Sequence, residues 1–431
     1  MRFFLPCTLL LSCELCACGQ EGGTSCRDHA DCDPVVVLAG DCQHARCVEG
    51  RCLAVDREAG AACELEQAGP CVGGACDGHG TCRSEPLPDG TACDDGIEST
   101  LEDACLGGRC RGRNEVDCPP PPACDATPPD PGPADGWRHT SSSIAAALGT
   151  PYHRGRDLLL AAGDAQWALA KFAYGLALDK DIHDEDVDLW LLRDCSSWEY
   201  LGRSRSTEDG QHETVEGVED TGGRVYFQIP PERRLGPGRH RIHFVLRGDL
   251  SSTDQVIQVL EPDARVAVSD VDGTLTSDEY AQAWDVLLDV SPEAHPHAAD
   301  AMWALARKGY LLFYLTARPE FLGQRTRDWL AERGFPPGIA HTTLSHTGAI
   351  GSAAVDFKLI ELSALEVELG RVPDFGFGNK ASDAQAYSAA GLDAQRCYYY
   401  ELDGDARGGV IHDDYGALAE GFGALPSSCL E

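Results

Sequence analysis

The chain has 431 residues, 43% of them hydrophobic and 24% charged, with a formal net charge of -35. That length exceeds one ordinary domain and that apolar share can build real cores, so a multidomain protein is expected. Nucleic acid is excluded as a partner because nothing resembles the basic stripe that neutralises phosphates, and an anionic membrane would be approached against repulsion. A phosphorylated substrate is not excluded, since a local metal ion with one or two cations can hold a phosphate.

In chain order, Met1-Arg2 precedes an apolar run through Leu11 that is too short to span a bilayer, so residues 1–17 read as a signal peptide. Leu15-Cys16-Ala17-Cys18 resembles a bacterial lipobox, which implies lipidation of Cys18; Leu11-Ser12-Cys13 offers Cys13 as a second site. The expectation is an exported protein of the cell envelope, anchored through its lipidated N-terminus, with the outer membrane preferred from known bacterial sorting. Ordinary secretion is the alternative.

Of the 21 cysteines, fourteen fall between Cys26 and Cys124. That density marks residues 18–118 as a disulfide-rich arm made for an oxidising compartment. Zinc is disfavoured, because Cys42-x4-Cys47-x4-Cys52 and Cys71-x4-Cys76-x5-Cys82 lack paired C-x2-C knuckles and partner histidines. The stretch Pro88-Asp-Gly-Thr-Ala-Cys93-Asp-Asp-Gly, followed by Asp103-Ala-Cys105-Leu-Gly-Gly-Arg-Cys110, resembles small Cys-rich repeats of bacterial surface lipoproteins; its aspartates are expected as turn residues, with calcium binding the alternative. With Cys18 lipidated, 17 cysteines remain and one is left over. Cys397, in the apolar run Cys397-Tyr-Tyr-Tyr400, is expected to be that buried free thiol.

Residues 119–135 hold a dense proline cluster and read as an extended, semi-rigid linker. Residues 136–261 show period-two runs such as Val187–Leu192, Arg224–Ile229, Arg239–Val245 and Gln255–Val259, which predict an antiparallel β-sandwich. His240 and His243 are expected as strand-surface groups. No catalytic constellation is visible here; the domain either orients its neighbour or touches a surface.

Residues 262–431 alternate apolar strands (Arg265–Ser269, Tyr310–Leu315, Asp374–Phe377) with helical stretches (Pro292–Arg307, Gly323–Arg333), the pattern of an α/β doubly wound parallel sheet. Such sheets place their sites at the carboxyl ends of strands. Asp270 and Asp272 lie at one such end, beside the turn Gly273-Thr274; Thr316, Asn379 and Asp383 lie at others, and Lys358 falls between. Two carboxylates one residue apart suit phosphoryl transfer, one attacking phosphorus while the other moves a proton. The Gly273-Thr274 turn can aim N–H groups at the phosphate.

Four segments in order carry a family resemblance: Ser269-Asp-Val-Asp-Gly-Thr-Leu-Thr276, Tyr314-Leu-Thr-Ala-Arg-Pro319, Phe357-Lys358 and Gly378-Asn-Lys-Ala-Ser-Asp383-Ala-Gln-Ala-Tyr387. The region resembles the haloacid dehalogenase (HAD) superfamily, and within it the lipin-type phosphatidate phosphatases and the related C-terminal domain of membrane-associated phosphatidylinositol-transfer proteins. The resemblance implies a HAD-like Rossmannoid fold with Asp270 as the nucleophile that becomes an aspartyl-phosphate and Asp272 as general acid and base. It implies that Thr316, Ala317, Gly273, Thr274 and Lys358 bind the phosphoryl group. Mg²⁺ would sit on Asp270, Asp383 and the backbone carbonyl of Asp272, with Asn379 a further candidate. Asn379 stands where many superfamily members carry an acid, although the lipin-type motif also has Asn.

Asp270 and Thr316 are separated by 46 positions, and Thr316 and Lys358 by 42, which leaves no room for a large cap domain. An open site favours a substrate presented by something large. The expected function is a Mg²⁺-dependent phosphatase of phosphatidate or a similar lipid phosphomonoester. The alternatives are a phosphatase of another phosphomonoester (phosphoprotein or small molecule) and a surface lipid-binding or adhesion protein with a non-catalytic HAD-like domain.

Overall fold

A computed structural model describes residues 25–32, 40–65, 69–94, 100–106, 108–114, 117–175, 179–261, 263–277, 291–427 and 429. The expected signal peptide, Cys13 and Cys18 lie outside the described residues. The chain divides into two units, Met1–Arg113 and Asn114–Glu431.

The first unit is a series of short antiparallel sheets: Gln43–Val48 with Arg51–Asp56, then Ala62–Cys63, Val72–Cys76 and Cys82–Pro86, then Thr100–Leu106 with Arg109–Asn114. Among its described residues the buried apolar cluster consists of Cys26, Cys32 and Ala45, far too little to hold a fold by packing. Six disulfides substitute for that core: Cys26–Cys47, Cys32–Cys52, Cys42–Cys76, Cys63–Cys82, Cys71–Cys105 and Cys93–Cys110. Cys42–Cys76 and Cys71–Cys105 both span 34 residues, so successive hairpins are stapled to one another in the same way. The turns that precede Cys63 and Cys93 repeat as well. Gly60 and Gly90 both sit at φ +87°, where glycine is favoured, and donate to the carbonyls of Cys76 and Cys105. The close cysteine triplets that a metal could use are all disulfide-bonded.

In the second unit the proline-rich segment is extended but does not hang free. Prolines lack N–H groups and leave carbonyls open as acceptors, and two arginines use these. Arg247 donates to the carbonyls of Pro131 and Pro133, and Arg241 to those of Cys124 and Ala126. Disulfides Cys118–Cys429 and Cys124–Cys195 fasten the same stretch. The expected spacer is therefore a strap bound to the body that follows it.

The middle region is β-rich. A five-stranded sheet runs Leu158–Leu160, Ser252–Val259, Gly238–Leu246, Asp186–Arg193, Ser197–Arg205, and a three-stranded one runs Arg224–Gln228, Trp167–Lys171, Arg154–Gly155. Both contribute to one core, with Leu169, Phe172, Leu189, Leu191, Ile242, Phe244 and Ile257 buried together. The pairing is not wholly antiparallel, because Leu158–Leu160 runs parallel to Ser252–Val259. His240 corrects the strand-surface expectation: it is fully buried, its Nδ1 accepting from the Asp194 N–H and its Nε2 donating to the Gly236 carbonyl. His243 pairs with Asp254.

The C-terminal part is a six-stranded, all-parallel sheet. In chain order it comprises β1 (Arg265–Ser269), α1 (Ala298–Arg307), β2 (Tyr310–Leu315), α2 (Gly323–Glu332), β3 (Gly338–His341), α3 (Ser352–Leu369), β4 (Phe375–Gly378), α4 (Ala381–Ala389), β5 (Cys397–Tyr400), β6 (Val410–His412) and α5 (Tyr415–Gly423). The strand order β3-β2-β1-β4-β5-β6 reverses between β1 and β4, where a doubly wound sheet opens its ligand crevice. Alternate residues feed two cores: Ala267, Leu312, Tyr314, Phe375 and Phe377 meet α1, α2 and α5, while Val266, Val268, Phe313 and Leu315 meet α3 and α4. Cys397 is buried in the second of these and is the one free cysteine among the described residues. The β-rich region joins that core through Leu159, Val256 and Leu260. Asp157, fully buried, accepts from the N–H groups of Val256 on one side and Ala340 of β3 on the other.

Candidate active site

The ends of β1, β2 and β4 bring the predicted residues together. Asp270 follows β1 and its N–H donates to the Phe377 carbonyl of β4 at 2.9 Å, which fixes the two strand ends side by side. The Tyr387 hydroxyl of α4 donates to the same carbonyl at 2.7 Å. Gly273, at φ +77°, turns the chain back, and the Tyr415 hydroxyl holds the Thr274 carbonyl.

Lys358 reaches in from the first half of α3. Its ammonium donates to Asp270 Oδ1 and Asp383 Oδ1, each at 2.5 Å, and all three side chains are buried. Asp383 is held by the N–H groups of Asn379 and Lys380, both 2.9 Å from its Oδ2, at the start of α4. The Thr274 hydroxyl lies 3.0 Å from Asp270 Oδ2 and 3.2 Å from Asn379 Oδ1.

Asp272 has a different environment. Arg318 grips both of its oxygens, with Nε at 3.0 Å from each and Nη2 at 2.7 Å from Oδ1, and the Thr316 hydroxyl donates to Oδ2 at 2.8 Å. Sequence reasoning gave Arg318 no role. Its only signal was its place in the Thr316-Ala317-Arg318 motif, because the partner lies 46 residues away.

Two expected phosphate contacts are differently engaged in this structure. The N–H of Gly273 donates to Thr276 Oγ1 at 2.9 Å, since the tight turn closes on its own threonine. Thr316 donates to Asp272 rather than standing free. Ala317 orders the adjoining loop, its carbonyl accepting from Ala349. His295 Nε2 lies 3.3 Å from the Gly273 carbonyl, a contact with no sequence signature.

Environment pushes the two acids apart. Burial, with repulsion from Asp383 and Asp272, raises Asp270 to about 6 against the pull of Lys358. Burial also acts to raise Asp272, but the Arg318 charge and the bonds from Arg318 and Thr316 outweigh it and hold that carboxyl below its ordinary value. Burial opposes the Lys358 charge, yet Asp270 and Asp383 together raise its pKa. Three buried carboxylates thus face two buried cations. The excess negative charge, with hard oxygens from Asp270, Asp383 and Asn379 near one another, fits a hard divalent cation such as Mg²⁺.

The β-rich region reaches the same loops. Glu320, two residues past Arg318, is buried between Arg224 (2.7 Å) and Arg154 (3.0 Å). Arg156 binds Glu361 of α3, which also holds His341 at 2.6 Å, and the His341 carbonyl accepts the Thr316 N–H.

Two family descriptions match this chain: the LNS2 domain of PITM 1-3 over residues 267–401, and the beta-sandwich domain of PITM 1-3 over residues 151–259. Protein retinal degeneration B of Drosophila melanogaster is 27% identical over 301 residues, covering 69% of this chain and 22% of that protein. Membrane-associated phosphatidylinositol transfer protein 1 of Homo sapiens is 27% identical over 270 residues, 62% of this chain and 20% of its own length. Human membrane-associated phosphatidylinositol transfer protein 3 is 25% identical over 268 residues, with shares of 62% and 25%. The chain spans between a fifth and a quarter of the length of these relatives. A solved sialyltransferase from Photobacterium damsela, 8% identical, covers 59% of this chain and 44% of its own at a TM-score of 0.16, a level that carries no fold argument. The matches support an LNS2, HAD-like, phosphatase-like domain in the C-terminal part, preceded by a β-sandwich.

Proposed function

We propose that the chain is a Mg²⁺-dependent phosphomonoesterase that works through an aspartyl-phosphate and acts on phosphatidate or a similar lipid phosphomonoester. The observation that carries this reading is the buried cluster in which Lys358 ties Asp270 to Asp383 while Asp272 stands two residues from Asp270 on its own Arg318 and Thr316 clamp. An Asp270 oxygen attacks phosphorus as the bond to the leaving alkoxide breaks, and Asp272 delivers a proton to that alkoxide. Water, giving its proton to the Asp272 carboxylate, then attacks phosphorus and breaks the bond to Asp270, releasing phosphate. Asp270, Asp383, Asn379 and the Asp272 carbonyl would hold Mg²⁺, which when bound neutralises phosphoryl charge and lowers repulsion toward a carboxylate nucleophile. Lys358 supplies a fixed positive charge beside the attacking oxygen.

The lipid part of the proposal rests on the relatives, two of which are named for phosphatidylinositol transfer. It also rests on the interval from Thr316 to Lys358, which a short helical turn, α2, β3 and a loop fill with no inserted domain. We further propose export to the cell envelope with a lipidated N-terminus. Eight disulfides among the described residues support an oxidising compartment.

One observation favours a second reading, a non-catalytic lipid-headgroup binder. Arg318 keeps Asp272 ionised, and an ionised acid cannot protonate a leaving group. Turnover therefore requires the substrate phosphate to draw Arg318 away from Asp272. Phosphate release from phosphatidate vesicles and from a soluble phosphomonoester, each with Mg²⁺ and with chelator, tests the proposal. Release only from vesicles and only with Mg²⁺ is expected. Equal rates on both substrates would remove the lipid claim, and vesicle binding without release would favour the second reading.

A further inference from the structure

Around this cluster the cations are unequally engaged. Lys358 and Arg318 are buried and already paired with carboxylates, and the Thr316 hydroxyl and Gly273 N–H are committed to protein oxygens. Lys380 differs. It follows Asn379 at the end of β4, occupies the N-cap position of α4, and is only half-buried. Its backbone N–H helps hold Asp383, while among the described residues its ammonium makes no ion pair. Its charge is nevertheless close enough to Asp272 to help keep that carboxyl ionised.

We infer that Lys380 is the substrate-facing anion-recognition residue of this site, donating to a non-bridging oxygen of the phosphate dianion. The inference rests on the phosphomonoesterase reading and deepens it. A dianion entering the crevice between β1 and β4 meets an excess of buried negative charge, so an accessible cation at the rim is needed before any buried one can act. Lys380 stands at that rim. A flexible ammonium suits the task because it follows the phosphate as Arg318 and Asp272 separate, whereas Lys358 is held between two carboxylates.

The test uses the full chain and inorganic phosphate as probe, with binding measured by titration calorimetry at fixed Mg²⁺. Lys380→Ala is expected to weaken phosphate binding about tenfold or more, the loss typical of one charge-assisted bond. Lys380→Arg should stay within about threefold of the natural chain, and Lys380→Gln should behave as the alanine variant does. With a turned-over substrate, Lys380→Ala should raise KM more than it lowers kcat. Unchanged phosphate affinity in both neutral variants, or no phosphate binding by the natural chain, would overturn the assignment. If phosphate binds through Lys380 but no ester is hydrolysed, the assignment stands and the enzymatic reading falls.

Discussion

At the scale of single residues the site is a problem in buried charge. Asp270 is useful as a nucleophile only when ionised, and its surroundings raise it to about 6. The rate with limiting Mg²⁺ should therefore rise with pH up to about 6 and level above it, and saturating Mg²⁺ should move that midpoint down, because a cation on Asp270 favours its charged form. A pH profile of kcat/KM at two Mg²⁺ concentrations checks this; a midpoint that ignores the metal would separate Asp270 from the cation. Lys358→Met leaves Asp270 and Asp383 without their shared partner. Loss of activity is expected together with about 3–5 kcal/mol of stability, the usual effect of breaking a buried ion pair, read by urea denaturation. Asp270→Asn should abolish phosphate release and leave the fold intact, since the amide keeps the shape; release at the natural rate would end the nucleophile proposal.

Among the elements, the loop from Thr316 to Glu320 is positioned from two sides. Arg318 faces Asp272, while Glu320 is locked by Arg154 and Arg224 from the β-rich region. Burial raises Glu320, but the two guanidinium groups outweigh it and bring its carboxyl down to about 2, so it stays charged at any working pH. Glu320→Gln is expected to destabilise the protein by about 3–5 kcal/mol, as for an uncompensated buried charge, and to lower kcat by loosening Arg318. Thermal melting and kinetics together check it; unchanged kcat at a lowered Tm would make the clamp purely structural. Within the second unit this contact holds the parallel sheet's Thr316 to Glu320 loop from the β-rich side, the orienting one of the two roles open to that region. No sequence pattern announces the clamp, because Glu320 lies 166 residues from Arg154 and 96 from Arg224. The strands themselves were legible: burial alternates over Arg239–Phe244 as one buried face requires, while Val187–Leu192, also read as a strand, is buried on both faces. Ser197–Arg205, with a mixed burial pattern, carried no such signal.

For the whole molecule, the two units are stabilised by different means. Residues up to Arg113 rely on disulfides that close loops of 17 to 34 residues, each contributing about 3–4 kcal/mol in the chain-entropy picture. The second unit has packed cores of its own. Reduction should therefore open the first unit to proteolysis while the parallel sheet keeps its circular-dichroism signal; simultaneous loss of both would contradict independent stabilisation. The sequence by itself determined the disulfide-rich character of the first unit, the β-rich middle, the parallel sheet and the identity of Asp270, Asp272, Thr316, Lys358 and Asp383 as one set. The first three are written in local spacing, which reflects strand period, turn chemistry and cysteine density, and the residue set in four ordered motifs that resemble a known family. Only the tertiary structure decided that Lys358 bridges two carboxylates, that Arg318 restrains Asp272, that the proline segment is strapped down and that Glu320 couples the β-rich region to the site. Those contacts join residues far apart in the chain, and what fixes them is complementary charge brought together in a medium that tolerates no unpaired ion.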